Sequence, residues 1–187
     1  GHIMIADRIK DGAFDALEEL RAQGVKSLVM LTGDVRSAAK TVASSLNFDM
    51  VKAELTLDGK ITAVEYMLSK KATGACLAFV GDGVGDAPVM THADIGIALG
   101  AVNEYSAIDA ADVVLMDEDI RALPEARSLC RSVTDTAGQN ILLSLAAKAI
   151  LVVLGVFGVI NIWIAALAEL CVLAAAIANA GKNDIKF

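Results

Sequence analysis

Gly81-Asp82-Gly83-Val84-Gly85-Asp86-Ala87-Pro88 is the stretch on which the reading of this chain turns. It follows the apolar run Cys76 to Val80 and leads into a helix-like segment, so two aspartates sit on a glycine-rich loop at the end of a strand. In open α/β sheets ligands bind beyond the carboxyl ends of the strands. Carboxylates placed there supply the hard oxygen atoms that Mg²⁺ prefers. A second cluster, Thr32-Gly33-Asp34, closes the apolar run Ser27 to Leu31 and adds a hydroxyl and exposed backbone amides of the kind that hold phosphate. The two loops together predict a phosphoryl-transfer site.

Outward from these loops, apolar runs alternate with amphipathic stretches. Short strands are predicted at Ile3 to Ala6, Lys26 to Leu31, Met50 to Ala53, Cys76 to Val80, Ile95 to Leu99 and Val113 to Met116. Between them, helices are expected over Asp11 to Gln23, with Ala13, Phe14, Leu17 and Leu20 inward, Ser37 to Leu46, and Gly59 to Ser69, with Ile61, Val64, Met67 and Leu68 inward. Shorter helices follow at Ala87 to Thr91 and Glu104 to Asp109. Such alternation implies a parallel sheet covered on both faces.

The composition is 56% hydrophobic, too apolar for an ordinary soluble domain of 187 residues, and the excess lies after Asn140. From Ile141 to Ile160 the only ionisable residue is Lys148, and from Ile162 to Ala180 the only one is Glu169. Each segment is long enough for a hydrocarbon core of about 30 Å. A mixed-charge helix, Leu123 to Gln139, leads into the first span. Arg127, Arg131, Lys182 and Lys186 flank the outer ends while the Gly158 to Asn161 link is uncharged, so both termini are expected in the cytoplasm. The net charge of −7 and the absence of a basic run exclude nucleic acid as a natural partner. The acidic residues otherwise read as a solvated surface. Cys76, Cys130 and Cys171 are too scattered for a disulfide or metal motif and read as small core or lipid-facing residues.

GDGVGDAP with the upstream MLTGD, followed by ADIGIALG and AADVVLMDEDIRALPEA, resembles the phosphorylation domain of a P-type cation-transporting ATPase, built on the haloacid dehalogenase-like fold. QNILLSLAAKAILVVLGVFGVINIWIAALAEL resembles the last two membrane helices of the heavy-metal class, nearest its zinc and cadmium exporters. The fold this implies is α/β: an incomplete Rossmann-like, haloacid dehalogenase-like domain over residues 1–122, a connecting helix over 123–140, and a transmembrane hairpin with a short tail over 141–187. The resemblance assigns Asp82 as the main protein ligand of Mg²⁺, with Asp86 supporting the same loop beside Gly83. Thr32 and Gly33 match the hydroxyl and amide that hold phosphoryl oxygens, Asp34 the acidic residue that positions the dephosphorylating loop, and Lys60 the lysine that neutralises phosphoryl charge. ATP would be bound mainly by other parts of such a pump.

The family's nucleophile is the aspartate of a DKTGT motif, and the sequence contains none. Asp7 ends an apolar run, but Arg8 and Ile9 stand where Lys-Thr is required, so it reads as structural. Asp117-Glu118-Asp119 follows the last strand and belongs to the matched LMDEDI segment. Gly85 and Val35 replace the family's asparagines and Leu57 replaces a common proline; a lost hydrogen bond of this kind costs about 1–3 kcal/mol. In the resembled fold the DKTGT strand lies between the strands ending at Leu31 and Val80, so either these two pair directly or another polypeptide fills the place. The chain alone is expected not to hydrolyse ATP.

Charges in the bilayer centre cost on the order of 2.5 to 3.5 kcal/mol each on insertion scales, so Lys148 and Glu169 call for a role. A mutual ion pair is geometrically open to them. By resemblance the carboxylate binds the transported ion and the lysine serves as counter-ion during release, with Glu169 standing where the class has aspartate; a structural pair is the alternative. The function implied is the C-terminal part of an exporter of zinc, cadmium or cobalt in the plasma membrane, working with the N-terminal half of the pump. The alternative is a catalytically silent, membrane-anchored binding or regulatory module.

Overall fold

The computed structural model describes residues 9–81, 83–100 and 105–181. Apolar runs of three to five residues form its strands, and the amphipathic stretches between them form helices. In chain order these are α1 (Ala13–Ala22), β1 (Val29–Leu31), α2 (Arg36–Ser45), β2 (Met50–Lys52), α3 (Leu57–Lys70), β3 (Ala78–Gly81), a 3-10 turn over Val84–Asp86, α4 (Ala87–Met90), β4 (Ile95–Leu99), α5 (Tyr105–Ala110) and β5 (Val113–Leu115). Two long helices follow, α6 (Ala122–Val156) and α7 (Ile162–Ala180). The chain divides into two compact units, one ending at Glu125 and one beginning at Ala126. The run Ile3 to Asp7 lies outside the described residues, as do Lys182 and Lys186.

Among the described residues every ladder is parallel. β1 pairs with β2, Val29 opposite Met50 and Leu31 opposite Lys52. β4 lies between β3 and β5, with Phe79 opposite Gly96 and Ile97 opposite Val113. The predicted single sheet is therefore two sheets, ordered β1-β2 and β3-β4-β5. Among the described residues no ladder joins β1 to β3, so the Leu31 and Val80 strands do not pair directly. Among the described residues each keeps one backbone edge without a ladder partner.

Aspartates stand just before three of the strands, exposed as the composition suggests but each engaged with a backbone amide. Asp49, just before β2, accepts from the Leu28 amide at 2.7 Å; Asp94, just before β4, accepts from the Leu77 amide at 2.8 Å; Asp112, just before β5, accepts from the Gly96 amide at 2.8 Å. Each satisfies a strand amide at the end of the sheet away from the glycine loop. Two of them also meet a cation, Arg21 of α1 with Asp49 at 3.1 Å and Lys71, at the end of α3, with Asp94 at 2.6 Å. The Leu28 amide and the Arg21 guanidinium hold the Asp49 carboxyl below its usual value. The Lys71 ammonium and the Leu77 amide do the same for Asp94.

Each sheet carries its own core. Ala13, Leu17 and Leu20 of α1 bury with Leu46, packed by Val25, Leu28, Val42, Phe48, Ile120 and Leu123. Phe14, expected inward, is 46% exposed, and Ala16 takes its place at 1%. On the other sheet Met90, Ala98 and Ala107 are buried against Phe79, Ile108 and Val114. A Cβ on Gly96 would lie 2.9 Å from the Met90 Cβ, and one on Gly81 only 2.8 Å from the Asp86 Cβ. Glycine at these two strand positions lets α4 and its preceding turn lie directly on the sheet. Cys76, Cys130 and Cys171 are exposed, so none is a core residue.

The connecting helix and the first apolar span are one helix, α6. It ends at Val156, short of the predicted Ile160, because Gly158 takes a left-handed φ of 71° and Val159 N–H bonds to the Leu154 carbonyl while Gly158 N–H bonds to that of Gly155. The Asn161 side chain accepts from the Ile164 amide at 2.9 Å and starts α7. Both helices are long and apolar enough to cross a membrane, each containing an 18-residue stretch of high mean hydropathy, 1.9 and 2.0. They pack along a seam of half-buried positions: Thr136, Asn140, Ser144, Ala147, Leu151 and Leu154 on α6, and Ala165, Ala168, Val172, Ala176 and Asn179 on α7. The spacing of three and four residues is that of two helices crossing at a shallow angle.

Candidate functional site

The turn after β1 is built by Thr32 and Asp34. The Thr32 hydroxyl donates to Asp34 Oδ2 at 2.9 Å and accepts from the Asp34 amide at 3.1 Å, closing the turn around Gly33. This turn is stapled to the segment after β2: Leu55 N–H reaches the Thr32 carbonyl at 3.0 Å, and Glu54 N–H that of Asp34 at 2.9 Å. Glu54 adopts a left-handed φ of 59°, uncommon for a side chain of its size. Its carboxylate is held by Arg36 Nε at 3.0 Å.

The helix that follows delivers the lysine. Thr56 caps α3, its hydroxyl accepting from the Gly59 amide at 3.2 Å, so the helix starts at Leu57 and not at the predicted Gly59. Lys60, in the first turn, extends to the glycine loop, where its Nζ lies 2.6 Å from Asp86 Oδ1. The two side chains are only 21% and 17% exposed. Asp86 owes its position to the 3-10 turn after β3 and to the bare Cα of Gly81 beneath it.

An open cavity of about 350 Å³ lies between the two loops, lined by Gly33, Leu55, Leu57, Lys60, Gly83, Gly85 and Asp86. Gly33, Lys60, Gly83 and Asp86 of the predicted site thus share one cleft at the carboxyl ends of β1 and β3. Thr32 and Asp34 flank it, their side chains engaged with each other. Asp82 lies outside the described residues. Leu55 and Leu57 line the cleft without having been predicted; the Thr56 cap was the sequence signal that places both beside Lys60. A Cβ at Gly85 would meet nothing within 4 Å, so the cleft has room for the side chain that glycine lacks.

Among the described residues no three His, Cys, Asp or Glu groups cluster as a metal site. The cleft's lining side chains offer one hard oxygen donor, the Asp86 carboxylate, of the kind Mg²⁺ takes, and in this structure Lys60 holds it. In the second unit Lys148 Nζ lies 4.0 Å from Glu169 Oε1, the side chains 65% and 59% exposed. The membrane pair is therefore brought together by the hairpin.

The haloacid dehalogenase-like hydrolase family matches residues 1–94. The zinc-transporting ATPase of Synechocystis sp. is 42% identical over 182 residues, 97% of this chain and 25% of that protein. The cadmium, zinc and cobalt-transporting ATPase of Bacillus subtilis is 38% identical over 96% of this chain and 26% of its own length. The crystal structure of a zinc-transporting PIB-type ATPase in its E2.Pi state superposes with a TM-score of 0.85 at 36% identity, covering 95% of this chain and 28% of that one. The chain spans about a quarter of the length of these relatives. It belongs to the haloacid dehalogenase-like hydrolase family and is homologous, over nearly its whole length, to a portion of the zinc- and cadmium-transporting ATPases.

Proposed function

We propose that this chain is the C-terminal portion of an ATP-driven exporter of a divalent heavy metal, zinc or cadmium, in the plasma membrane with both termini in the cytoplasm. One observation carries the reading: the same polypeptide gathers Gly33, Lys60, Gly83 and Asp86 around one cavity and continues into an apolar hairpin holding Lys148 4.0 Å from Glu169. In this reading residues 1–122 are the phosphorylation domain, 123–140 the connecting helix and 141–187 the membrane hairpin and tail.

The cleft handles the phosphoryl group. Gly33 presents its amide to the phosphoryl oxygens, and the Thr32 hydroxyl joins it by releasing Asp34. Lys60 neutralises phosphoryl charge by exchanging Asp86 for the incoming anion. Asp82 and Asp86 would hold Mg²⁺, which when bound supplies positive charge against the phosphoryl oxygens of ATP. The edges of β1 and β3 that have no ladder partner among the described residues support a further strand contributed by the N-terminal half of the pump, carrying the DKTGT aspartate. In the hairpin Glu169 binds the transported ion and Lys148 replaces it on release. The exposure of both side chains supports further membrane helices around them, since lipid does not solvate charge.

Joining the chain to a segment that carries DKTGT and supplying ATP tests the whole reading. Zinc-stimulated, acid-stable acyl-phosphate is expected, and its loss in Lys60→Ala. No acyl-phosphate with both parts present would end the proposal. Unchanged zinc affinity in Glu169→Ala would reduce the membrane pair to a structural contact.

A further inference from the structure

At the open end of the hairpin, away from the Gly158 turn, three amide side chains meet across the two helices. Asn140 Nδ2 donates to the backbone carbonyl of Ala176 at 3.1 Å, and Asn179 Nδ2 donates to Asn140 Oδ1 at 3.0 Å and approaches Gln139 Oε1 at 3.5 Å. Apart from the Lys148–Glu169 pair, the rest of the seam offers little that is directional. Its other half-buried positions include Ala165, Ala168, Val172 and Ala176 on α7 and Ser144, Ala147, Leu151 and Leu154 on α6, mostly small or apolar groups that would fit one another in several registers. In lipid no hydrophobic term chooses among those registers. A buried amide contact in a mostly apolar seam does choose, because sliding leaves amides unpaired.

We propose that Asn140 and Asn179 form a register lock that keeps Lys148 level with Glu169. Lys148 lies eight residues along α6 from Asn140, about 12 Å, and Glu169 ten residues along α7 from Asn179, about 15 Å. The two paths differ by about 3 Å, well within what the lysine and glutamate stems span. A slip of one turn moves the facing groups by about 5.4 Å, enough to separate a pair that stands at 4.0 Å. The amides at one end and the Gly158-Asn161 turn at the other thus clamp the charged pair between them. Asn140 and Asn179 are positioning residues: they touch neither charge and act through the register of the helices. Their consequence for ion handling rests on the role proposed above for Glu169, whereas the lock itself does not.

Cysteine cross-linking of the full chain in membrane vesicles reads the register directly. In a Cys130→Ser/Cys171→Ser background, Ser144→Cys is paired in turn with Val172→Cys, which the lock makes level, and with Ala168→Cys and Ala176→Cys, which a slip of one turn in either direction makes level. The 144–172 pair should dominate in the parent. Each hydrogen bond lost should lower its share relative to the slipped pairs about threefold. Asn179→Ala, which keeps the Asn140 to Ala176 bond, should therefore show about a threefold fall and Asn140→Leu/Asn179→Leu about a tenfold fall, while Asn179→Gln recovers the parent pattern. Zinc affinity, with Lys148 and Glu169 intact, should weaken about 10-fold in the double variant, the usual effect of misplacing a metal ligand. A parent-like pattern in the double variant, or equal yields of all three pairs in the parent, overturns the lock. A changed cross-link pattern with unchanged zinc affinity keeps the lock and removes Glu169 from the ion path.

Discussion

Replacing Lys60 by methionine keeps most of the stem and removes the charge, leaving the Asp86 carboxylate alone in the cavity wall. In the parent the two atoms are 2.6 Å apart and about four-fifths of each side chain is out of water. Exposed ion pairs contribute about 0.2–1 kcal/mol, and breaking a fully buried one costs about 3–5 kcal/mol. A pair at the mouth of an open cavity falls between, near the figure for a hydrogen bond between charged groups, about 2 kcal/mol. Lys60→Met should therefore shift the unfolding equilibrium roughly 30-fold. With a urea dependence of about 2 kcal/mol per molar, the midpoint falls by about 1 M. Asp86→Asn should cost less, since a lysine stem swings its ammonium back to water. In the double variant the two losses should overlap, giving a coupling of about 1–2 kcal/mol. Pulse proteolysis across a urea series, on the detergent-solubilised chain, measures all four species. Additive losses, with coupling below about 0.5 kcal/mol, would mean that the contact holds nothing and that Lys60 is a surface lysine.

Val35 stands at the N-cap of α2 in an extended conformation, φ −63° and ψ 145°, is 61% exposed, and caps nothing. Val35→Asn needs no backbone change and gives the first-turn amides an acceptor, so stability should rise by about 1 kcal/mol and the thermal midpoint by a few degrees; an unchanged midpoint would refute the cap argument. Acid should loosen the base of both sheets. Asp49 and Asp94 have folded-state pKa values below their unfolded ones, so their stabilisation is full above the unfolded value, about 3.9, and is lost as pH falls through the lower folded value. Asp94→Asn should accordingly lower the urea midpoint at neutral pH and shrink the further fall below pH of about 4. An acid response identical to the parent's would show that Lys71 and Leu77 do not hold that carboxylate.

Periodicity carried the element types because the strands are short apolar runs and the helices amphipathic, and both periods are properties of the backbone alone. It could not show how the strands are shared between sheets. Whether β1 meets β3 depends on pairing between residues far apart in sequence, and the edges of Leu31 and Val80 read alike with or without a partner. The helix boundaries moved where a cap was overlooked: Thr56 drew the start of α3 back to Leu57, and Gly158 ended α6 at Val156. Asp49, Asp94 and Asp112 read as surface charge and are exposed, but their amide partners were not legible, because an acidic residue before an apolar run looks the same with or without a neighbouring strand's amide.

The two loops of the site were legible for a different reason. A glycine-rich acidic turn at a strand end has few structural uses, and Gly81 shows the constraint: any Cβ there would meet Asp86 at 2.8 Å and Met90 Cε at 2.6 Å. The same substitution that spoiled the packing would thus dislodge the carboxylate, so fold and site impose one demand on one residue. Asn179 was the opposite case. A single amide near the end of an apolar helix reads as packing, and its meaning depends on Asn140, thirty-nine residues away, and on the backbone carbonyl of Ala176. Residues whose role is fixed by local backbone geometry are visible along the chain; those that act by choosing a register between two helices become visible only once both helices are in place.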